Sequence, residues 1–258
     1  MPPIFHIDRA LVRNPAPSVV HGLRAIDRGS PTLEGIRLEL ETYVAALSAA
    51  GVAVETLPAL EAFPDSVFLE DPALVFPEGA IVLRPGAPSR LGEAIAIGPE
   101  LRRRFDHVLE LTDGFAEGGD ILNTRDAVLI GLSARTTEAG AAGLIALLDQ
   151  IGRRGRIVQT PTGVLHFKTD CSLLDEETIL ASVRKTSKAL VFHEATLTGG
   201  FGGEIAARIT EKAFEYLDGP VMRLAAPDTP VPFSPTLEEA YLPNVDKLVA
   251  KLRLLAAY

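Results

Sequence analysis

Residues 66–84, SVFLEDPALVFPEGAIVLR, set short apolar runs against turns built from Asp71-Pro72 and Pro77-Glu78-Gly79. Apolar runs of this length, punctuated by Asp, Pro and Gly, read as paired β-strands. The same plan returns in 119–135, GDILNTRDAVLIGLSAR, and in 164–182, VLHFKTDCSLLDEETILAS. A helical pattern follows at least the first two. The chain thus carries a weak internal repeat of strands plus helix, which predicts an α/β fold.

Flanking segments support that reading. Ser30 and Pro31 stand where an N-cap and a first helical residue belong, Leu33, Ile36, Leu40, Val44 and Leu47 recur at helical spacing, and Gly51 offers a stop. A helix near 32–50 is predicted, followed by the strand VAVETL (52–57). Thr136 or Thr137 caps a second, Ala- and Leu-rich helix that reaches Ile151, and Gly152 or Gly155 precedes the strand RIVQT (156–160).

At 258 residues with a net charge of −9, the chain can bury a substantial core, and it has no Lys/Arg run beyond Arg102-Arg103-Arg104. Nucleic acid is therefore not an expected partner. The opening MPPIFHIDRALVRNP is too charged and proline-rich for a signal peptide, and no apolar run approaches the roughly 18 residues a membrane span needs; a cytoplasmic location and no membrane partner are expected. A single cysteine, Cys171, excludes an internal disulfide framework and a multi-thiolate zinc site, so no metal is expected. All six lysines lie at or beyond Lys168, whereas the preceding residues use fifteen arginines. Uniform scattering would do this roughly two times in a thousand, which suggests a seam near residues 168–185.

Polar residues gather at the predicted strand starts and ends: Asp65, Glu70 and Asp71, then Glu117 and Asp120, then His166 and Lys168. If the repeats circle one axis, these groups converge on one mouth. Carboxylates fix the plane of a guanidinium by bidentate pairing, and histidine adds an acid/base group that titrates near neutrality. Each residue alone also has a plain structural reading. The Asp residues flank turns, where Asp bonds its own backbone; Glu117 precedes Gly118-Gly119 in a loop; and His166, inside the apolar VLHF, suits a hydrogen-bonded core histidine.

Five motifs narrow the choice: PDSVFLEDP (64–72), RPGAPSR (84–90), AEGGDIL (116–122), GLSART (131–136) and VLHFKT (164–169). In order and approximate spacing they resemble the dimethylarginine dimethylaminohydrolases of the guanidine-modifying superfamily, or penteins. The resemblance covers residues 1 to about 180 and implies a five-bladed αβ-propeller, here a partial one. It implies that Asp65 holds a substrate guanidinium with Glu70 and Asp71 nearby, that Arg90 and Arg135 grip the amino-acid carboxylate, and that Leu23, in PSVVHGL, sits in a lid. Glu117 and His166 would be the orienting carboxylate and the general acid/base.

The family mechanism attacks the guanidinium carbon with a cysteine thiolate from the last propeller unit. No such cysteine follows here; the sequence closes on VDKLVAKLRLLAAY (245–258), a basic amphipathic helix. Cys171 is a poor substitute. It lies at an odd offset from His166, so an uninterrupted strand would point the two side chains to opposite faces, and CSLL reads as a buried strand with Cys as a small apolar residue.

The tail has its own signature in HEATLTGGFGGEIA (193–206) and DTPVPFSPTLEEAYLPN (228–244). Locally, KALVFHE is a strand, Gly199–Gly203 a close-packing turn into a helix at about 204–217, PVMRLAA a second strand, and 236–257 hold helical turns and a final helix. From about 175 onward the sequence resembles the C-terminal end of the beta subunit of thiamine-diphosphate-dependent 2-oxoacid dehydrogenases, which implies a βαβα half of a transketolase-C-terminal-like domain that makes subunit contacts. No cofactor is expected: thiamine diphosphate is not assigned, because the pyrimidine-binding domain and the partner alpha subunit are missing.

The expected organisation is a chimera: a partial αβ-propeller over 1–178 joined to a βαβα segment over 179–258. Three functional expectations follow. One is a guanidine-binding protein for arginine-like small molecules, inactive or impaired; the second is a subunit-interaction module giving a homo-oligomer through the tail; the third is an active hydrolase using Cys171.

Overall fold

Thr32 accepts a hydrogen bond from Gly35 N at 3.1 Å and so satisfies one orphan donor of the helix it starts. The computed structural model describes residues 7–24, 29, 31–160, 163–169 and 171–258, so the predicted cap Ser30 lies outside the described residues. Residues up to Leu173 form one unit and Leu174–Tyr258 a second.

In the first unit, β1 (Arg9–Arg13) and β2 (Ala53–Leu57) run parallel, joined through α1 (Leu33–Ala49). Gly51, at φ +87°, turns the chain out of α1 in a conformation that L-residues avoid. The first predicted strand pair forms as an antiparallel hairpin, β3 (Ala73–Phe76) with β4 (Gly79–Val82); α2 (Leu91–Arg102) then returns the chain to β5 (Val108–Glu110), parallel to β4. The second pair repeats this: β6 (Ile121–Asn123) against β7 (Val128–Leu132), then α3 (Glu138–Gln150) and β8 (Gly155–Gln159) parallel to β7. The α3 cap is Thr137, bonded to Gly140 N at 3.1 Å. Each repeat is therefore a hairpin, a helix and a parallel strand, and α2 and α3 pack on the sheets through Ile97, Leu101, Leu144 and Leu148, all at most 2% exposed. Burying each such side chain contributes about 1.5–3 kcal/mol.

Two expectations need correction. Residues 66–72 form turns, and the first hairpin begins only at Ala73. The third segment forms no strand pair: Leu165 and His166 bend into a 3₁₀ turn over Phe167–Thr169, residues 171–175 carry neither helix nor strand, and 176–186 are helical. The reason is local capping. Asp175 accepts from Thr178 N at 2.7 Å and starts α4 (Glu176–Thr186), with Glu176 and Glu177 favouring the first turn. The buried-strand reading of CSLL therefore does not hold, and Cys171 is only half-buried. A boundary after residue 178 would run through α4, which belongs wholly to the second unit.

In that second unit, β9 (Leu190–Thr196) is parallel to β10 (Met222–Ala226), with α5 (Phe201–Ala213) crossing between them. Leu180, Val183, Val191, Ile209 and Ala213 form its core. The helices α6 (Pro235–Tyr241) and α7 (Val245–Ala256) follow, the latter capped by Asn244. Helix α5 begins three residues earlier than the predicted 204 and stops at Ala213, ahead of a 3₁₀ turn over Phe214–Tyr216. Among the described residues, no helix is long and apolar enough to cross a membrane.

Candidate active site

Asp71 and Asp120 occupy equivalent places, each just ahead of the first strand of a hairpin, and each reaches into the next repeat. Asp71 Oδ1 accepts from Gly119 N at 3.1 Å; Asp120 Oδ1 accepts from Phe167 N at 2.8 Å. The other oxygen of Asp120 takes both hydroxyls of the GLSART loop, Ser133 Oγ and Thr136 Oγ1, at 2.6 Å each. The second bond of this series explains why VLHF is no strand: Asp120 claims the backbone N–H that a ladder would need.

Held in this way, the turn carries His166 onto Glu117. Nε2 of His166 lies 2.8 Å from Oε2 of Glu117, which is fully buried. Glu117 Oε1 also accepts from Ala87 N at 3.1 Å, and Arg135 Nη1 bridges both carboxylate oxygens at 3.1 and 3.3 Å. Burial alone would raise the pKa of Glu117. The bonds from His166, Ala87 N and Arg135 outweigh it and hold the carboxyl at about 2. The same bond to Glu117 raises the pKa of His166 against burial, with Asp120 and Asp71 assisting. Asp71, Glu117 and His166 each bring one atom within 4.8 Å of the others. No side chain fits at position 119, since a Cβ there would stand 2.7 Å from Cγ and Nδ1 of His166.

Asp65 joins through its neighbours. Its Oδ1 accepts from Leu23 N at 2.9 Å, and its carbonyl accepts from Arg90 Nη2 at 3.1 Å. Leu23 itself is half-exposed and follows a 3₁₀ turn over Pro17–His21. Glu70 stands at the rim, paired with Lys168.

The two arginines differ. Arg90, 4% exposed, donates to Asp71, to both oxygens of Glu93 and to the carbonyls of Asp65 and Phe68. Burial works against its charge, but Glu93 and Asp71 prevail and keep it protonated. To grip a ligand carboxylate, Arg90 would first have to abandon these partners, so in this geometry it braces the Asp65–Asp71 turn. Arg135 uses only Nη1 on Glu117, leaving Nε and Nη2 without an acceptor among the described residues. Glu93 was not singled out in the sequence; its signal is the i, i+3 spacing from Arg90. Among the described residues no hydrogen bond joins Cys171 to His166.

The hairpin–helix–strand repeat with a paired His and Glu at its mouth is the fold of a guanidine-modifying hydrolase. Dimethylarginine dimethylaminohydrolase of Pseudomonas aeruginosa is 38% identical over 180 residues, which cover 69% of this chain and 70% of that protein. The solved structure of the same organism's enzyme, a Cys-to-Ser mutant complexed with citrulline, matches with a TM-score of 0.65 at 31% identity, covering 87% of this chain and 78% of that one. The chain belongs to the dimethylarginine dimethylaminohydrolase family. A second similarity covers the later part: the model of the transketolase, C-terminal domain matches residues 162–248. Over 79 residues, the beta subunit of acetoin:2,6-dichlorophenolindophenol oxidoreductase from Bacillus subtilis is 46% identical, covering 31% of this chain and 23% of that subunit. Beta subunits of 2-oxoisovalerate and pyruvate dehydrogenases match the same region.

Proposed function

We propose that the first unit binds the guanidinium of an arginine-like amino acid and does not hydrolyse it at a measurable rate. The observation that carries this reading is the His166–Glu117 pair beside Asp71, in a chain whose sole cysteine has no hydrogen bond to that pair among the described residues. Asp65 Oδ2 has no hydrogen-bond partner among the described residues and is the natural acceptor for a ligand guanidinium; Arg135 offers its unused donors to the ligand carboxylate. His166, its pKa raised by the bond to Glu117, is placed to pass a proton to a departing amine, but a proton donor and carboxylates alone supply no electron pair to the guanidinium carbon. The repeated hairpin–helix–strand units are consistent with a partial αβ-propeller.

Calorimetry with Nω,Nω-dimethylarginine should show weak binding that Asp65→Ala abolishes, with no citrulline formed and no change on Cys171→Ala. Absence of heat for any guanidino amino acid would refute the binding reading; citrulline production lost in Cys171→Ala would make that residue a relocated nucleophile.

A second reading gives the tail a role as an interaction module. It is favoured by the match to beta-subunit sequences and by Phe192, Phe201 and Phe214, each at least half exposed in the second unit. Analytical ultracentrifugation at micromolar concentration should then show a homo-oligomer. A monomer throughout that range would rule this reading out.

A further inference from the structure

Arg135 is fixed along its backbone and free at its tip. Its N–H donates to Ser133 Oγ at 2.9 Å, and that hydroxyl is in turn tied to Asp120 at 2.6 Å. On its other side the chain abuts Gly86, where a Cβ would stand 2.4 Å from Arg135 O. A ligand is therefore met by a swing of the guanidinium and not by movement of the loop. Nη1 is engaged with Glu117, while Nε and Nη2 have no acceptor among the described residues. The Arg135 side chain is 22% exposed, whereas that of Glu117 is 0%.

Arg90 does not share the task of holding a ligand carboxylate, because all three of its nitrogens are engaged with Asp71, Glu93 and the carbonyls of Asp65 and Phe68. What Arg135 gives to a ligand is thus withdrawn from Glu117, and a buried carboxylate that loses a counter-charge is costly. Glu117 is unable to follow. Its Oε1 accepts from Ala87 N at 3.1 Å, and its backbone N–H donates to Thr136 Oγ1 at 3.2 Å. The group left to supply positive charge is His166, 2.8 Å from Oε2. Asp71 and Asp120 act on the same ring and add to the pull on a proton, and Lys168 at the rim is paired with Glu70.

We propose that Glu117 couples recognition of a ligand carboxylate by Arg135 to uptake of a solvent proton by His166. The coupling rests on the arginine-binding reading above and adds regulation to that site. It runs both ways. Protonated His166 satisfies Glu117 and releases Arg135 to the carboxylate; neutral His166 leaves Glu117 dependent on Arg135 and holds the guanidinium back. The site therefore prefers guanidino compounds that carry a carboxylate over those that lack one, by a margin that widens as the pH falls through the titration of His166.

L-Arginine and agmatine differ by that carboxylate alone and serve as the probes. Proton NMR of the His166 ring in the full-length protein, assigned with His166→Gln, gives its titration midpoint. Saturating arginine should leave the midpoint higher than saturating agmatine does, since the guanidinium is common to both. Between about pH 8.5 and about pH 5.5, arginine should gain at least about fivefold in affinity over agmatine, the low end of typical couplings. Without ligand, Arg135→Gln should by itself raise the midpoint, and in that variant the arginine–agmatine difference should vanish. Equal midpoints with the two probes, or no shift in ligand-free Arg135→Gln, would overturn the coupling while leaving guanidine binding intact. A difference that persists in Arg135→Gln would also overturn it, because the carboxylate would then act on His166 directly. Binding of neither probe would remove the binding reading itself, and the coupling with it.

Discussion

Replacing Arg90 with leucine should destabilise the first unit by about 3–5 kcal/mol, a large fraction of the roughly 5–15 kcal/mol that holds a domain together. The arginine is the hub of a buried cluster: Asp71 and Glu93, both under 10% exposed, rely on it for their counter-charge, and the Asp65–Phe68 turn rests on it through two carbonyls. Removing the cation strands two carboxylates away from water. Removing Glu93 as well, in Arg90→Leu/Glu93→Leu, eliminates one of the stranded charges and should recover part of the loss. Urea midpoints at fixed slope measure both effects. A shift under about 1 kcal/mol for the single variant would show that the cluster is less buried or better hydrated than its geometry states.

The second large effect is acid lability centred on Glu117. Depression of its pKa from 4.5 to about 2 corresponds to about 3 kcal/mol of folding stability, at ~1.4 kcal/mol per unit. The sign follows from the direction. The contribution is fully present above pH 4.5 and is lost progressively as the pH falls toward 2. His166 works in the opposite sense: its raised pKa adds stability that is complete below 6.5 and disappears as the pH rises through the folded-state value. The pair therefore contributes most between these limits. Chemical denaturation at about pH 3, 5.5 and 8 should show the acid loss in the native protein and its suppression in Glu117→Gln, which has lower stability throughout. An acid dependence unchanged by that substitution would assign the effect to other carboxylates. Proton NMR of the His166 ring should also show a lower pKa in the variant.

The hairpins and helices of the first unit were legible because each rests on local signals: the Pro77-Glu78-Gly79 turn, a cap at Thr136 or Thr137, and the Ala- and Leu-rich run that reaches Ile151. VLHF was misread because its apolar pattern suits a strand, while the decisive bond comes from Asp120, 47 residues away. Asp120 itself looks like an ordinary turn residue until Ser133, Thr136 and Phe167 are seen around it. Glu93 escaped notice for the same reason. A glutamate in the first turn of a helix reads as solvated, and only Arg90 makes its burial tolerable. Motif resemblance named Glu117 and His166, but their 2.8 Å approach depends on a turn that periodicity could not supply.

The Asp120 bond to Phe167 also bears on where the chain tolerates interruption. Before residue 171 the backbone is tied down by that carboxylate, and after residue 174 Asp175 starts α4 with a cap of its own. Each side of the 171–174 stretch satisfies its own terminus. An insertion placed there severs neither bond, so this stretch should accept added residues with less loss of stability than the segments on either side of it.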